Sequence, residues 1–226
     1  MRARPSHGEG ETFGRALPRS AADDAELVAQ VKRGETQAYG ELVRRYQDRV
    51  FNTCWRICGH LEDARDLTQE AFLKAYEGLA SFRGESGFYT WVFRVAVNLA
   101  LTHRRRGKNR RVYSLDQAMD GGQAATDPIA PPTPAAANDD PAEAAGAAER
   151  NAAVGRALGA LEEEQRAVVV LRDMEGLNYE QIAAILQIPA GTVKSRLFRA
   201  RMALQAALEP IIGGAAGRPV PHERHG

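Results

Sequence analysis

From Gly191 to Leu204 the apolar residues Val193, Leu197, Ala200 and Leu204 recur at spacings of four, three and four, so they share one side of a helix. Ser195, Phe198, Arg199 and Met202 fall on the other side, with Lys194 and Arg201 along one edge and Arg196 along the opposite one. Four basic residues and no acid lie between Gly191 and Arg201, which makes that outer face cationic. Just upstream, Asn178-Tyr179-Glu180-Gln181 fits a capping box. Ile182, Ala183, Ile185 and Leu186 supply an apolar face, and Ile188-Pro189 makes a turn with Pro189 at the first position of the next helix. A further helix ends at Gly176-Leu177 and starts with Glu162, Glu163 and Glu164, the charge a helix N-terminus favours. Two short amphipathic helices around a tight turn, the second carrying the cations, predict a helix-turn-helix whose partner is duplex DNA.

Helical periodicity also runs from Asp23 to about Arg111, with no convincing alternating strand. In Asp63–Tyr76, Leu67, Ala71 and Ala75 face inward, while Asp66, Gln69 and Glu70 form an outer acidic and amide patch. Such a patch repels DNA, so a protein is its expected user. From Phe88 the pattern gives a buried stripe of Phe88, Val92, Val95 and Leu99. A polar line of Thr90, Arg94, Asn98 and Arg105 runs along another side, about 22 Å long at 1.5 Å per residue. Five of the 15 aromatics fall within twelve residues, at Phe82, Phe88, Tyr89, Trp91 and Phe93. A cationic run follows, from Arg104, Arg105 and Arg106 through Lys108, Arg110 and Arg111. Stacking a base on an aromatic contributes about 1–3 kcal/mol, comparable with the few kcal/mol lost on extruding it. Aromatics beside a cationic cluster therefore suit a surface that grips duplex backbone and traps a melted base.

Periodicity fails elsewhere. Residues 1–22 and 211–226 are predicted to be disordered. Residues 113–150, with the run PIAPPTPAAANDDP, are predicted to be a flexible linker. The expected fold class is all-α, with two small helical domains at 23–112 and 151–210. The formal charge of +1 conceals this division: residues 22–113 carry 16 Lys/Arg against 12 Asp/Glu, and residues 114–150 carry one against seven. Two separate readers on a tether can reach separate DNA elements. The linker's acidity suggests a mimic of nucleic acid.

Other function classes find less support. No apolar run is long enough to span a bilayer, and the N-terminus lacks the apolar core of a secretory signal, so a cytoplasmic protein is expected. Cys54 and Cys58, four apart with His60 nearby, are too few for a disulfide framework or a metal site and read as packed thiols. No cofactor, metal or small-molecule substrate is expected. No cluster of carboxylates or activated nucleophile suggests an enzyme. A stand-alone helix-turn-helix regulator with a sensory first domain remains the competing reading.

The ordered run of DARDLTQEAFLKAY, SFRGESGFYTWVFRVAVN, a basic cluster, an acidic linker and LNYEQIAAILQIPAGTVKSRLFRAR resembles the extracytoplasmic-function sigma factors of bacterial RNA polymerase. The resemblance spans both predicted domains, about 150 of the 226 residues. It implies core RNA polymerase and promoter DNA as partners. It also implies an anti-sigma factor, often membrane-bound in the family. Asp66, Gln69 and Glu70 would dock on the polymerase clamp. The loop Phe82–Gly87, with Arg83 and Ser86, would hold a flipped −10 base. Phe88, Tyr89, Trp91, Arg94 and Asn98 would support melting, and Arg104, Arg105 and Arg106 would hold the backbone upstream. Lys194, Ser195, Phe198 and Arg199 would read the −35 element, flanked by Arg196 and Arg201 on phosphates. Lys194 stands where many members carry Arg, and Gly87 leaves the loop one side chain short.

Overall fold

The computed structural model describes residues 21–115 and 141–215. Residues 1–20 of the predicted N-terminal extension and most of the predicted linker and tail lie outside it, as do the side chains of Lys108, Arg110 and Arg111, whereas Ala21 and Ala22, expected in the extension, open the first helix. The described residues form helices α1 (Ala21–Lys32), α2 (Thr36–Cys58), α3 (Leu61–Gly78), α4 (Phe88–Leu115), α5 (Pro141–Ala160), α6 (Glu163–Val169), α7 (Tyr179–Leu186) and α8 (Ala190–Ala215), with no strand among them. A single 3-10 turn follows α3, and a π turn, Val170–Met174, follows α6.

The first body is α1–α4. Along α2, Ala38, Leu42, Tyr46, Val50, Cys54 and Ile57 recur every three or four residues and are buried. Helix α3 opposes them with Ala64, Leu67, Ala71 and Ala75, small enough mostly to let the backbones approach closely. Gly59 ends α2 in the left-handed region at φ 88, its amide donating to the Trp55 carbonyl. Asp24 ties α1 to α2, accepting from Arg45 Nη1 at 2.6 Å and from the Tyr46 hydroxyl.

The second body is α5–α8, with Leu158, Leu161, Val168, Leu171, Ile182, Ile185, Val193 and Leu197 at its centre. Its first helix begins at Pro141, ten residues earlier than expected, and α8 runs on through Pro210 to Ala215. Composition reads 141–150 as tether. Yet these residues are rich in Ala, of high intrinsic helix propensity, and continue a helix whose later part is anchored by burial of Ala153, Ala157 and Leu158.

The two bodies are in contact. Helix α7 lies directly on α4, and their buried residues join into one continuous apolar cluster. This alters the expected exposure of α4. Phe88 and Val92 are buried as predicted, but so are Phe93, Ala96, Val97, Ala100 and Leu101, whereas Val95 and Leu99 are half-buried. Thr90, placed on the polar line by periodicity, is 7% exposed. A single-stripe reading assumes one packing partner. Here α2 and α3 cover one side of α4 and α7 another, so burial sweeps more than half its circumference.

Candidate nucleic-acid interface

The capping box closes as expected: the Gln181 amide donates to Asn178 Oδ1 at 2.8 Å and the Asn178 amide to Gln181 Oε1 at 2.9 Å. Gln187 then takes a left-handed conformation at φ 55 and Ile188 donates back to the Ala183 carbonyl, which turns the chain into α8. Val193, Leu197 and Ala200 are buried against α6 and α7, so the opposite face of α8 must point outward. Phe198 is 68% exposed, far too much for a large aromatic with no partner surface.

The four cations of this face are not equivalent. Arg196 pairs with Glu164, and Arg201 pairs with Asp173, with Nε 3.1 Å from Oδ2. That hydrogen bond to Asp173 raises the Arg201 pKa above its ordinary value, ahead of a smaller opposing effect of burial. Arg199 forms no ion pair among the described residues. Lys194 sits 5.6 Å from the centre of the Tyr179 ring, and Arg172 lies 5.1 Å from it. Ser195 donates to the Thr192 carbonyl at 3.0 Å and keeps its lone pairs free to accept.

A second surface surrounds the loop from Phe82 to Gly87. Lys32 Nζ of α1 holds the Phe82 carbonyl at 2.5 Å, fixing the loop's start, and Gly84 supplies a left-handed turn at φ 74. Phe82 stacks on Trp91 with centroids 4.8 Å apart. The indole lies so close to α3 that a Cβ on Gly78 would sit 3.1 Å from it. Arg83 is exposed and Ser86 half-buried at the loop's rim. Two predicted members lie beneath this surface. Phe88 is 2% exposed, packed edge-on to Trp91 and against Tyr46, and cannot receive a base face; it supports the surface from below. Tyr89 is roofed by Arg49, whose guanidinium carbon lies 4.8 Å from the ring centre. Desolvation raises the Tyr89 pKa and its hydroxyl has no hydrogen-bond partner.

Asn98 and Arg106 share a groove between α3 and α4 with Leu67, Glu70 and Lys74. This brings the predicted melting helix beside the predicted polymerase-docking patch. Asp66, Gln69 and Glu70 are all exposed, and Glu70 is 3.5 Å from Lys74. Arg94 is half-buried with Nε unpartnered. Arg105 Nε lies 3.5 Å from Glu163 Oε2, and Arg104 Nε lies 3.8 Å from Glu163 Oε1.

Sequence reasoning missed the charges between the two bodies. Glu175, with a 5% exposed side chain, accepts from Arg49 Nε at 3.0 Å and lies 3.8 Å from Arg56. Its position was a readable signal, because an acid at the end of a helical turn opposes the helix dipole unless cations compensate it. Arg166, 1% exposed, donates from Nη1 to the Ile57 carbonyl at 3.0 Å, and Arg104 donates to the same oxygen at 3.1 Å. Cys54 and Cys58 are buried free thiols. Burial pushes their pKa values up to about 12 and about 11, so neither is a thiolate at neutral pH.

Comparison with known proteins places both bodies in one family. Residues 42–111 match the model for sigma-70 region 2, and residues 151–204 match that for sigma-70 region 4. The RNA polymerase sigma-H factor of Pseudomonas aeruginosa is 39% identical over 193 residues, covering 84% of this chain and 95% of that protein. The ECF RNA polymerase sigma-E factor of Escherichia coli is also 39% identical over 193 residues, covering 84% and 96%. Among solved structures, CnrH in complex with the cytosolic domain of CnrY has a TM-score of 0.58 at 24% identity, covering 83% and 98%. RpoE with the anti-sigma factor NepR from Bartonella quintana has a TM-score of 0.57 at 24% identity, covering 76% and 96%. With region 2 in its first body, region 4 in its second and such relatives across most of its length, the chain belongs to the extracytoplasmic-function sigma factors of bacterial RNA polymerase.

Proposed function

We propose the following division of labour for a sigma factor that directs core RNA polymerase to promoters and initiates transcription there. Lys194, Ser195, Phe198 and Arg199 read the −35 element as duplex. Arg199 and Lys194 donate to guanine edges or phosphates, Ser195 to either once its hydroxyl leaves the Thr192 carbonyl, and Phe198 packs on a thymine methyl. Arg196 and Arg201 reach phosphates by exchanging a carboxylate for one. The loop Phe82–Gly87, with Arg83 and Ser86, captures an unpaired −10 base beside the Phe82–Trp91 stack. Arg94, Asn98, Arg104, Arg105 and Arg106 hold the flanking strand, and Tyr89 and Phe88 support the surface from within. Asp66, Gln69 and Glu70 dock on the polymerase.

The observation that carries this reading is the recognition helix itself. Its apolar side is buried while Phe198 stands exposed between Lys194 and Arg199, neither of them in an ion pair among the described residues. The chain works in the cytoplasm and has no catalysis of its own, since the polymerase supplies the chemistry. RpoE is seen with the anti-sigma factor NepR and CnrH with the cytosolic domain of CnrY; a protein inhibitor of that kind is the partner we assign here.

Mapping strand opening on promoter DNA with and without core polymerase tests the proposal. Opening should require both components, and changing Asp66, Gln69 and Glu70 together to Ala should weaken polymerase association while leaving helicity intact. Tight, sequence-specific binding by the chain alone, with no opening when polymerase is added, would favour a stand-alone regulator.

A further inference from the structure

The contact between the two bodies cannot persist while both promoter elements are read. The −35 and −10 elements are separated by about 25 base pairs, or roughly 85 Å of duplex at 3.4 Å per pair. In this structure α7 rests on α4, and α8 starts four residues after α7 ends. Two helix diameters of packing and the length of α7 place the −35 face within about 35 Å of α4. The 25 residues between Leu115 and Pro141 reach about 85 Å when extended, so the chain is long enough to let the bodies part.

The seam between them has a composition suited to reversible closure. Glu175 is held by Arg49 and approached by Arg56, and Arg49 Nη2 also donates to the Glu175 carbonyl at 2.9 Å. Glu163, with its side chain 16% exposed, lies against both Arg104 and Arg105. Two guanidinium groups, from Arg166 and Arg104, meet the Ile57 carbonyl near the C-terminal end of α2, where the helix dipole favours positive charge. The fit is incomplete. Arg166 Nε and the Tyr89 hydroxyl are buried without partners, a desolvation cost of closure that opening to water would return.

We infer that this is the resting form of the free chain, latched by Glu175 on Arg49 and Arg56 and by Glu163 on Arg104 and Arg105. When the bodies separate, DNA phosphate takes the place of Glu163 on Arg104 and Arg105. The carboxylates thus act as internal stand-ins for phosphate and keep region 2 from gripping duplex before polymerase is engaged. This last step rests on the proposed role of Arg104 and Arg105; the latch itself does not.

The test uses the full chain and the double variant Glu163→Gln/Glu175→Gln, with Glu62→Gln, an exposed acid paired with Arg65, as control. Small-angle scattering at low salt should give a compact wild type and control, and a double variant whose radius of gyration is larger by several ångströms at unchanged helicity. Affinity for non-promoter duplex, without polymerase, should rise several-fold in the double variant. Its dependence on log salt should steepen by about 1–2, one counterion for each arginine released. Equal radii in wild type and double variant, whether both compact or both expanded, would overturn the latch. If the double variant loses helicity, Glu163→Gln alone, on the partly exposed margin of the seam, decides by the same two readouts. Promoter opening by wild type with polymerase is scored separately, so failure there sinks the assigned DNA role and leaves the scattering result standing.

Discussion

Among the cations of the recognition helix, the deciding quantity is what each must give up to reach DNA. Arg199 gives up only water, whereas Arg201 must leave Asp173 and Arg196 must leave Glu164. Exposed ion pairs are worth only about 0–1 kcal/mol, so exchange with phosphate is feasible, but a charge already partnered gains less from it. Arg199→Ala should therefore cost about 1–3 kcal/mol at one or two −35 positions and relax discrimination there. Arg201→Ala should weaken binding slightly and uniformly. Competition among single-base −35 variants measures both, and an Arg199→Ala loss spread equally over all sequences would reassign that residue to the backbone.

At the level of elements, α7 is the weak link. It is only eight residues long, too short to be helical by propensity, and depends on its cap and on burial of Ile182 and Ile185. Asn178→Ala removes one half of the reciprocal cap and should destabilise the second body by about 1 kcal/mol. Chemical denaturation followed by far-ultraviolet circular dichroism tests this. A substitution that leaves the unfolding midpoint unchanged would mean that packing alone holds the turn. Helix α4 shows the opposite case. It was legible as a helix from Phe88 to about Arg111, short of its end at Leu115 in the predicted linker, but its buried arc was not, because periodicity cannot register a second packing partner contributed from far along the chain.

Across the whole molecule, ionisable groups buried as neutral acids govern behaviour at high pH. Burial raises Cys54 from the ordinary 9.0 to about 12 and Cys58 to about 11, and it also raises Tyr39, Tyr46 and Tyr89. The unfolded chain releases the thiol protons above pH 9 and the tyrosine protons above pH 10, while the folded chain keeps them. Their contribution is therefore complete below pH 9 and is lost as pH rises toward the folded values. The thermal midpoint should fall steeply between pH 9 and 11, and an alkylating reagent should label the thiols only as the chain unfolds. A midpoint flat to pH 11, or rapid labelling at pH 8, would contradict the burial of this core.

The linear order of residues determined a great deal by itself. Helix positions, the capping box, the cationic outer face of α8 and the loop aromatics all follow from local periodicity and backbone capping, which act over a few residues. Side-chain burial at Leu67, Ala71 and Ala75, and exposure at Asp66, Gln69 and Glu70, follow for the same reason. Tertiary structure alone decided which cations are occupied, that Thr90, Phe93 and Val97 are core, and that α7 lies on α4. Each depends on groups far apart in sequence, such as Arg49 and Glu175, and their distance in space has no trace in any local pattern.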